Sequence, residues 1–478
     1  MNEREDLIFN INSQSGLTFS DFGDTGIDEV IPVKFLRKSK LEIKNAGEFD
    51  VVRHFTRLSR QNYSVDVGFY PLGSCTMKYN PKINESISSM DEFTRVHPLL
   101  PASYTQGSLE MMWELGEALK NITGMDGVTL QPAAGAHGEF TGILIIRAYH
   151  LDRGDKRSTI LIPDSAHGTN PSSVVMGGYN VKVIKSSKDG TIDIDDLKEK
   201  LTTDVAALMI TNPNTLGLFE KDILKIAEMV HSVGALLYND GANLNAILGK
   251  CRPGDIGFDI SHINLHKTFS TPHGGGGPGS GPLTVKQHLV EYLPLPIIEK
   301  EKDQYSMCWH KDASIGKVSS FYGNFGVLVR ALIYIKALGA DGLRKVSETA
   351  VLSANYLKDH LKKYYKLAYD QTCMHEFVLS GFEKDSSVHT IDIAKRLLDY
   401  GYHAPTIYFP LIVKEAIMIE PTETESLNSM DKFIETMIKI HEERKCNPEL
   451  LINAPCNTIV SRLDEVKAIK QPDVCWNK

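Results

Sequence analysis

Strand-like and helix-like segments alternate through the middle of this chain, and the alternation narrows the folds that it can adopt. Short apolar runs typical of strands lie at residues 128–130, 159–163, 181–184, 206–210 and 235–238. Helical periodicity separates or precedes them at residues 109–122, 139–151, 193–201 and 222–233. This pattern predicts an α/β fold with a mostly parallel sheet that is covered by helices on both faces.

Three regions are expected along the 478 residues. Residues 1–105 are rich in turn formers and predict an N-terminal arm and interface segment that lies over a partner subunit. Residues 106–345 form a large α/β domain that would bind the cofactor, and residues 346–478 form a small C-terminal α+β domain with a tail. Long helices are predicted at 327–338 and 343–361, the second of which spans the boundary. Beyond them the small domain alternates strands and helices at 376–379, 391–398, 416–419 and 432–443.

Composition excludes several classes of protein. A net charge of -8 and a pI near 6.1 argue against a nucleic-acid binder, and the absence of a long apolar run argues against a membrane span. The N-terminus has early acids and no apolar core, which is unlike a secretory signal. The seven cysteines are scattered without a Cys-x-x-Cys pair, which favours a reducing cytoplasm. We expect no metal site, because His262 and His266 lie on a predicted strand rather than on a helix.

Lys267 is the leading candidate for chemistry. It follows an apolar strand and precedes a loop, residues 273–282, that consists largely of glycine. A lysine in this position can lose its charge by desolvation and form a Schiff base with a carbonyl. The glycines would let a flat cofactor and substrate approach the backbone. The alternatives are a solvated lysine, a phosphate-binding loop and a flexible turn.

Two loops that follow predicted strands offer groups for a phosphate and for an aromatic ring. Ligands of open α/β sheets bind at the carboxyl ends of the strands. Gly135 and Ala136 open a helix there, where free backbone amides point at an anion. His167 could stack on an aromatic cofactor or move a proton. An ordinary tight turn and a structural histidine are the alternative interpretations.

Two further loops would complete such a site. Asp240 ends a strand, and its carboxylate could pair with the protonated pyridine nitrogen of pyridoxal phosphate, although it could equally be a helix N-cap. Thr215 lies in a polar turn and could donate to the phenolic oxygen of the same ring. Together with Lys267, these groups follow the order that a fold-type-I pyridoxal phosphate enzyme needs.

Several motifs resemble a known family, the P-proteins of the glycine cleavage system, also called glycine decarboxylases. The resemblance runs from about residue 60 to 440, and the second subunit of the split form carries the matching lysine. The motifs are Gly73-Ser74-Cys75-Thr76-Met77-Lys78, Ala134-Gly135-Ala136, Ala166-His167-Gly168-Thr169-Asn170-Pro171, Asp240-Gly241-Ala242-Asn243, Asn264-Leu265-His266-Lys267-Thr268-Phe269 and Glu420-Pro421-Thr422-Glu423. Asn212 departs from the Tyr of the longer chains, which leaves its role open.

The resemblance implies a fold-type-I, transferase-like enzyme with pyridoxal 5'-phosphate bound covalently at Lys267. It implies catalytic roles for Lys267 and His167. The implied cofactor-binding residues are Gly135, Ala136, His167, Thr169, Thr215, Asp240, Ala242, His266 and Lys267. Secondary candidates are Cys75, Lys78, His273 and His403.

The implied reaction decarboxylates glycine and transfers the aminomethyl group to the lipoyl arm of a carrier protein, with release of CO2. The implied partners are the first subunit, in an α2β2 assembly, and the lipoyl carrier (H) protein. The glycine-rich loop around Gly276 would admit the lipoyl arm. Neither nucleic acid nor a membrane is expected as a partner.

Other functions stay open from the residues alone. A different pyridoxal phosphate-dependent lyase or amino-acid decarboxylase would act on a free substrate without a lipoyl carrier. A non-catalytic scaffold subunit would be expected to lose Lys267 first. A nucleotide-binding protein fits least, because the glycine-rich loop lacks the Gly-Lys-Ser/Thr ending of a P-loop.

Overall fold

The computed structural model describes residues 4–10, 26, 30–39, 46–273, 279–381 and 387–475. Its centre is a seven-stranded sheet. The strands are β1 (Gly127–Thr129), β2 (Thr159–Pro163), β3 (Asn180–Ile184), β4 (Val205–Thr211), β5 (Leu236–Asp240), β6 (Ile260–His262) and β7 (Leu283–Val285). They lie in the order β1-β7-β6-β5-β4-β2-β3. Strand β7 pairs antiparallel with β1 and β6, and the other pairs are parallel. The predicted mostly parallel sheet is confirmed.

Helices precede, connect and follow these strands. In the described residues they are α1 (Glu48–Gln61), α2 (Lys82–Ser88), α3 (Asp91–Thr94), α4 (Gln106–Thr123), α5 (Gly135–Asp152), α6 (Thr169–Met176), α7 (Ile194–Lys200), α8 (Ile223–Ser232), α9 (Phe325–Leu361), α10 (Thr390–Asp399), α11 (Leu427–Cys446), α12 (Glu449–Ile452) and α13 (Glu465–Lys470). Local sequence sets their ends. The Asp193 carboxylate caps α7 by accepting two backbone N–H groups, and α4 ends at the left-handed Gly124.

A second, smaller sheet follows α9. Its strands are β10 (Lys366–Leu367), β11 (Phe377–Ser380), β12 (Thr406–Ile407) and β13 (Ala416–Ile419), which lie in the antiparallel order β10-β11-β13-β12. The hairpin β8 (Ile297–Glu301) and β9 (Gln304–Cys308) stands apart from both sheets. Gly339 is non-helical and divides α9 in two, as the prediction of two helices required. The predicted domain boundaries remain a prediction.

The described part of residues 1–105 contains more regular structure than the sequence indicated. Helix α1, the short helices α2 and α3 and the hairpin β8–β9 were not predicted. Helix α1 buries only His54 and exposes Phe49, Val52 and Phe55, so it lacks the buried apolar stripe that identifies a core helix.

None of the described helices is both long enough and apolar enough to cross a membrane.

A short N-terminal segment, residues 72–76, joins the two sheets. Leu72 forms a bridge with Ile419 of β13, and the Thr406 hydroxyl donates a 2.7 Å hydrogen bond to the carbonyl oxygen of Gly73. A Cβ on Gly73 would lie 2.2 Å from the Met418 side chain. The segment therefore packs directly on the small sheet, and its next residues reach the edge of the large one.

Candidate active site

A cavity of about 210 Å³ lies at the carboxyl-terminal edge of the large sheet, beyond the ends of β4, β5 and β6. Every site residue predicted from the sequence lines it. These are Gly135, Ala136, His167, Thr169, Thr215, Asp240, Ala242, His266 and Lys267. The structure thus brings the predicted set together, while the role of each residue stays a prediction.

Lys267 follows strand β6, as expected, but lies in a turn five residues beyond its end, so the predicted strand does not extend to His266. Strand β6 ends at His262. Fully buried Leu265 and Phe269 anchor the turn on either side of the lysine, so its side chain is directed into the cavity. Lys267 is 9% exposed, and its Nζ donates a 2.7 Å hydrogen bond to the carbonyl oxygen of Ser74.

The Asp240 carboxylate is buried at the end of β5 and is held on both oxygens. The Asn170 amide donates to Oδ2 at 2.9 Å, the Ala242 N–H donates to Oδ1 at 3.1 Å, and His262 Nε2 lies 3.2 Å from Oδ1. Burial raises the pKa of Asp240, but His262, Asn170 and the cationic neighbours outweigh it and hold the pKa below its ordinary value. Asp240 therefore presents a fixed negative charge to the cavity.

His167 is positioned by a buried carboxylate on α5. Its Nδ1 lies 2.9 Å from the hydroxyl oxygen of Thr169, whose hydroxyl donates to Glu139 at 2.7 Å. Ser173 donates to the other oxygen of Glu139 at 2.8 Å. Burial lowers the pKa of His167, so the imidazole is mainly neutral at pH 7. A neutral ring suits stacking on a planar cofactor and proton exchange.

The N-terminus of α5 forms the anion-binding end of the cavity. The helix begins at Gly135, four residues earlier than predicted, and no side chain caps it. The first amides, which include those of Gly135 and Ala136, are therefore available to a phosphate. A Cβ on Gly135 would lie 2.6 Å from Asn264 Oδ1, which explains the glycine. Asn264 Oδ1 and Thr211 Oγ1 are buried without a hydrogen-bond partner in the described chain, and both residues line the cavity.

The turn after β4 carries Thr215 and Asn212. The Thr215 hydroxyl donates to the Ser165 carbonyl oxygen at 2.5 Å, so it must rotate before it can donate to a ligand. Asn212 Oδ1 accepts the Glu220 N–H at 2.9 Å and holds the turn together. The residue that departs from the resembled motif thus has a structural contact.

His266 and His273 make an edge-to-face contact beside the lysine, with ring centroids 5.0 Å apart. Burial, followed by the charges of His273 and Lys267, lowers the pKa of His266 to about 3, so its ring is neutral. Cys75 Sγ lies 3.6 Å from His273 Nε2, and burial raises the pKa of this thiol, which disfavours the thiolate. Residues 274–278, which include Gly276, lie outside the described residues.

Two secondary candidates do not line the cavity. Lys78 Nζ forms a buried ion pair with Glu423 at 2.6 Å. The His403 ring stacks on Tyr70 with 3.9 Å between centroids. Both contacts tie elements together, so the hypothesis that His403 contributes to the substrate pocket gains no support.

Sequence reasoning missed several residues of the cavity wall. Ser74, Glu139, Asn264, His375 and Glu376 all line it. Ser74 lay within a recognised motif and Glu376 at the start of a predicted strand, but the hydrogen bond between them spans 302 residues. No local pattern reveals such a contact.

Comparison with known proteins agrees with the resemblance. Residues 14–308 match the family described as glycine cleavage system P-protein, and residues 346–459 match the family described as glycine dehydrogenase, C-terminal domain. The chain belongs to the P-protein family of the glycine cleavage system. A P-protein relative from Caldanaerobacter subterraneus subsp. tengcongensis, named probable glycine dehydrogenase (decarboxylating) subunit 2, is 56% identical over 484 residues and covers 100% of both chains. The relative of the same name from Thermosipho melanesiensis is 59% identical over 457 residues and covers 95% of each chain.

Solved structures share the fold. A crystal structure of glycine decarboxylase (P-protein) in inhibitor-bound form superposes with a TM-score of 0.72 at 20% identity, covering 87% of this chain and 94% of that one. Glutamate decarboxylase from Lactobacillus brevis superposes with a TM-score of 0.66 at 15% identity, covering 85% and 95%. At these identities the likeness concerns the fold, and the predicted fold-type-I class is confirmed.

Proposed function

We propose that this P-protein family member decarboxylates glycine with pyridoxal phosphate and transfers the aminomethyl group to the lipoyl arm of a carrier protein. The observation that carries the proposal is that the buried Lys267 amine and the buried Asp240 carboxylate line the same cavity. The relatives' name, glycine dehydrogenase (decarboxylating), supports the same reaction.

The residues of the cavity fit pyridoxal phosphate. The uncapped N-terminus of α5 suits the phosphate, the Asp240 carboxylate suits a protonated ring nitrogen, and the Lys267 amine suits the aldehyde. Asn264 Oδ1 and Thr211 Oγ1, which have no hydrogen-bond partner in the described residues, offer further contacts to a polar ligand. When bound, the cofactor supplies an electron sink for the pair of electrons that remains as the carboxylate group leaves.

The chain's own residues bind, orient and exchange protons. Asp240 keeps the ring nitrogen protonated, because its charge is fixed by Asn170 and His262. His167, which Glu139 and Thr169 orient and which burial keeps neutral, would stack on the ring. Gly135, Ala136, Thr215, Ala242 and His266 complete the cofactor site.

Partners follow from the family. The words "subunit 2" in the relatives' name support a first subunit, and we infer an α2β2 assembly with the lipoyl carrier (H) protein as the second substrate. The scattered cysteines, all free in the described structure, support a cytoplasmic location. A glycine-rich entrance for the lipoyl arm remains part of the proposal.

Covalent trapping tests the cofactor. The full chain is mixed with pyridoxal phosphate, scanned for visible absorbance, reduced with borohydride and digested for mass spectrometry. We expect the label on Lys267 only and its loss in Lys267→Ala. Lys286→Ala is the matched control, since Lys286 Nζ also donates to a backbone carbonyl oxygen, that of Gly124, but lies outside the cavity.

Carrier dependence tests the reaction. With the first subunit and lipoylated carrier present, carboxyl-labelled glycine should release labelled CO2 in proportion to carrier. Release that ignores the carrier would favour another decarboxylase. No absorbance band in the wild type, even with the first subunit, would favour the scaffold function.

A further inference from the structure

Two neighbouring glutamates are buried at the wall of the cavity. Glu376 lines the cavity, and Glu420 lies behind it. One carboxylate oxygen of Glu376, one of Glu420 and a ring nitrogen of His375 lie within 4.8 Å of one another. All three side chains are buried, and Glu376 and His375 also line the cavity. Two buried carboxylates at this separation cannot both ionise without a large cost, so the pair tends to retain a proton.

The surrounding donors decide which carboxyl holds that proton. Glu420 accepts from the Thr76 hydroxyl at 2.8 Å and from the Asn243 amide at 3.0 Å, which favours its ionised form. Glu376 accepts the Ser74 N–H at 2.8 Å on one oxygen, and its other oxygen lies 3.8 Å from His375. Burial lowers the pKa of His375 to about 3, so this ring brings no charge. Glu376 is therefore the protonated member.

Ser74 connects Glu376 to the lysine. Its N–H donates to Glu376 Oε2, while its carbonyl oxygen accepts from Lys267 Nζ at 2.7 Å. Ser74 has a φ of 64°, a left-handed conformation that aims both of its backbone groups. The ionisable groups that face the pair are Cys75, Lys78, Lys267 and His375.

We propose that Glu376 is a further catalytic residue, which exchanges a proton with the Lys267 nitrogen when glycine takes the place of the lysine. This role rests on the proposed function. Glu420 is the positioning residue, since its charge keeps the proton on Glu376. Ser74 contacts both Glu376 and Lys267, so the proton donor and the proton acceptor lie on the same wall of the cavity.

The proton count balances without an oxidant or a reductant. Glycine arrives as an ammonium ion and must lose a proton before its nitrogen can form a bond. In all, the glycine nitrogen loses two protons, and the Lys267 nitrogen gains two when it is released as an ammonium ion. Glu376 passes these protons one at a time: it gives its own proton to Lys267 and recovers one from the glycine nitrogen, so the pair ends as it began.

The electrostatics match this exchange. Burial raises the pKa of Glu376 to about 8 and that of Glu420 to about 7, and the charge of Lys267 lowers both. Between these values the pair holds one proton. When Lys267 is neutral, Glu376 therefore holds its proton more tightly. When Lys267 is charged, Glu376 loses its proton more readily.

Infrared difference spectra of the full chain without cofactor test the shared proton. Titration through pH 7 and 8 should remove a carboxylic-acid carbonyl band from the wild type. Glu376→Gln should lose the part of this change near pH 8 and keep the part near pH 7 that belongs to Glu420. Glu220→Gln is the control, because Glu220 is a buried glutamate outside the cavity whose pKa burial also raises. An unchanged titrating band in Glu376→Gln would overturn the proposal.

Stopped-flow absorbance on the loaded complex with the first subunit tests the transfer. After mixing with glycine, Glu376→Gln should respond about a hundredfold more slowly, the lower range for a general acid–base group. Glu376→Asp should recover part of the rate, and Glu220→Gln should match the wild type. Equal rates in Glu376→Gln would overturn the catalytic role. If the absorbance of the cofactor-loaded wild type does not change on mixing with glycine, the proposed function and the proton transfer to Lys267 are both contradicted. The infrared titration still decides whether Glu376 and Glu420 share a proton.

Discussion

At the scale of the residue, the site depends on how burial changes the side chains that carry its chemistry. Asp240 and Glu376 are both buried carboxyls near Lys267, yet their protonation differs. The charged and polar neighbours of Asp240 outweigh burial and lower its pKa, whereas burial and Glu420 raise the pKa of Glu376. One carboxyl can thus anchor a cation while the other retains a proton.

Asp240→Asn removes the fixed charge and keeps the shape. We expect pyridoxal phosphate to bind about ten- to hundredfold more weakly, because a hydrogen bond to a charged group contributes about 1.5–3 kcal/mol. Titration of absorbance with cofactor measures this. Asp259→Asn is the matched control, since Asp259 is also buried and lies 2.9 Å from His231 but outside the cavity. Equal affinity in both variants would remove Asp240 from the cofactor site.

The residues proposed to bind the cofactor could be predicted from the sequence, because most of them follow a strand end or open a helix. Gly135, His167 and Asp240 carry such local patterns. Glu376 and Glu420 do not, because their significance comes from lying beside each other, which only the folded chain determines. Their pairing with residues 74 and 76 spans 302 and 344 positions, respectively.

At the scale of the element, the site is built where strands of the large sheet end and the small sheet approaches. Periodicity predicted both ends of β2, and it placed the ends of β3, β4 and β5 within two residues. It missed α1, whose apolar residues are exposed, and placed the start of α5 too late, because small residues such as Gly135 and Ala136 carry no apolar period. Tertiary packing determines both the presence of α1 and the start of α5, and the periodicity of the sequence carries no information about that packing.

Gly217→Ala should disrupt the contact between the turn after β4 and the start of β11. Gly217 has a φ of 77°, and a Cβ there would lie 1.9 Å from the Glu376 carbonyl oxygen. We expect a loss of about 2–4 kcal/mol in unfolding free energy, since steric overlap with the backbone adds to about 1 kcal/mol of conformational cost. Urea unfolding measures it. Gly401→Ala, at a φ of 79° with open space around it, isolates the conformational part; equal losses would contradict the contact.

At the scale of the whole molecule, the carboxyl pair couples stability to pH. The ordinary pKa of Glu376 is 4.5, and its folded value is about 8. From just above 4.5 up to about 8 the folded chain binds more protons than the unfolded chain. Its contribution is therefore complete below 4.5 and is lost as pH rises through 8, by at most about 1.4 kcal/mol per pH unit.

Glu376→Gln should flatten this decline, because glutamine does not ionise. Urea midpoints across the same pH window should fall for the wild type and change less for the variant, so that the variant gains relative stability at the alkaline end. Glu348→Gln should follow the wild type, since Glu348 is half-exposed and Lys250 lowers its pKa. Parallel curves for wild type and Glu376→Gln would contradict the raised pKa.

The segment of residues 72–76 also sets the order in which this molecule can be completed during synthesis. Its contacts with β12, β13, Glu376 and Glu420 form only after the ribosome has synthesised most of the chain. The large sheet can form earlier, since its last strand ends at Val285. During translation the wall beside Lys267 therefore stays open until the small sheet emerges, and a chain truncated before Glu420 leaves Thr76 without its carboxylate partner.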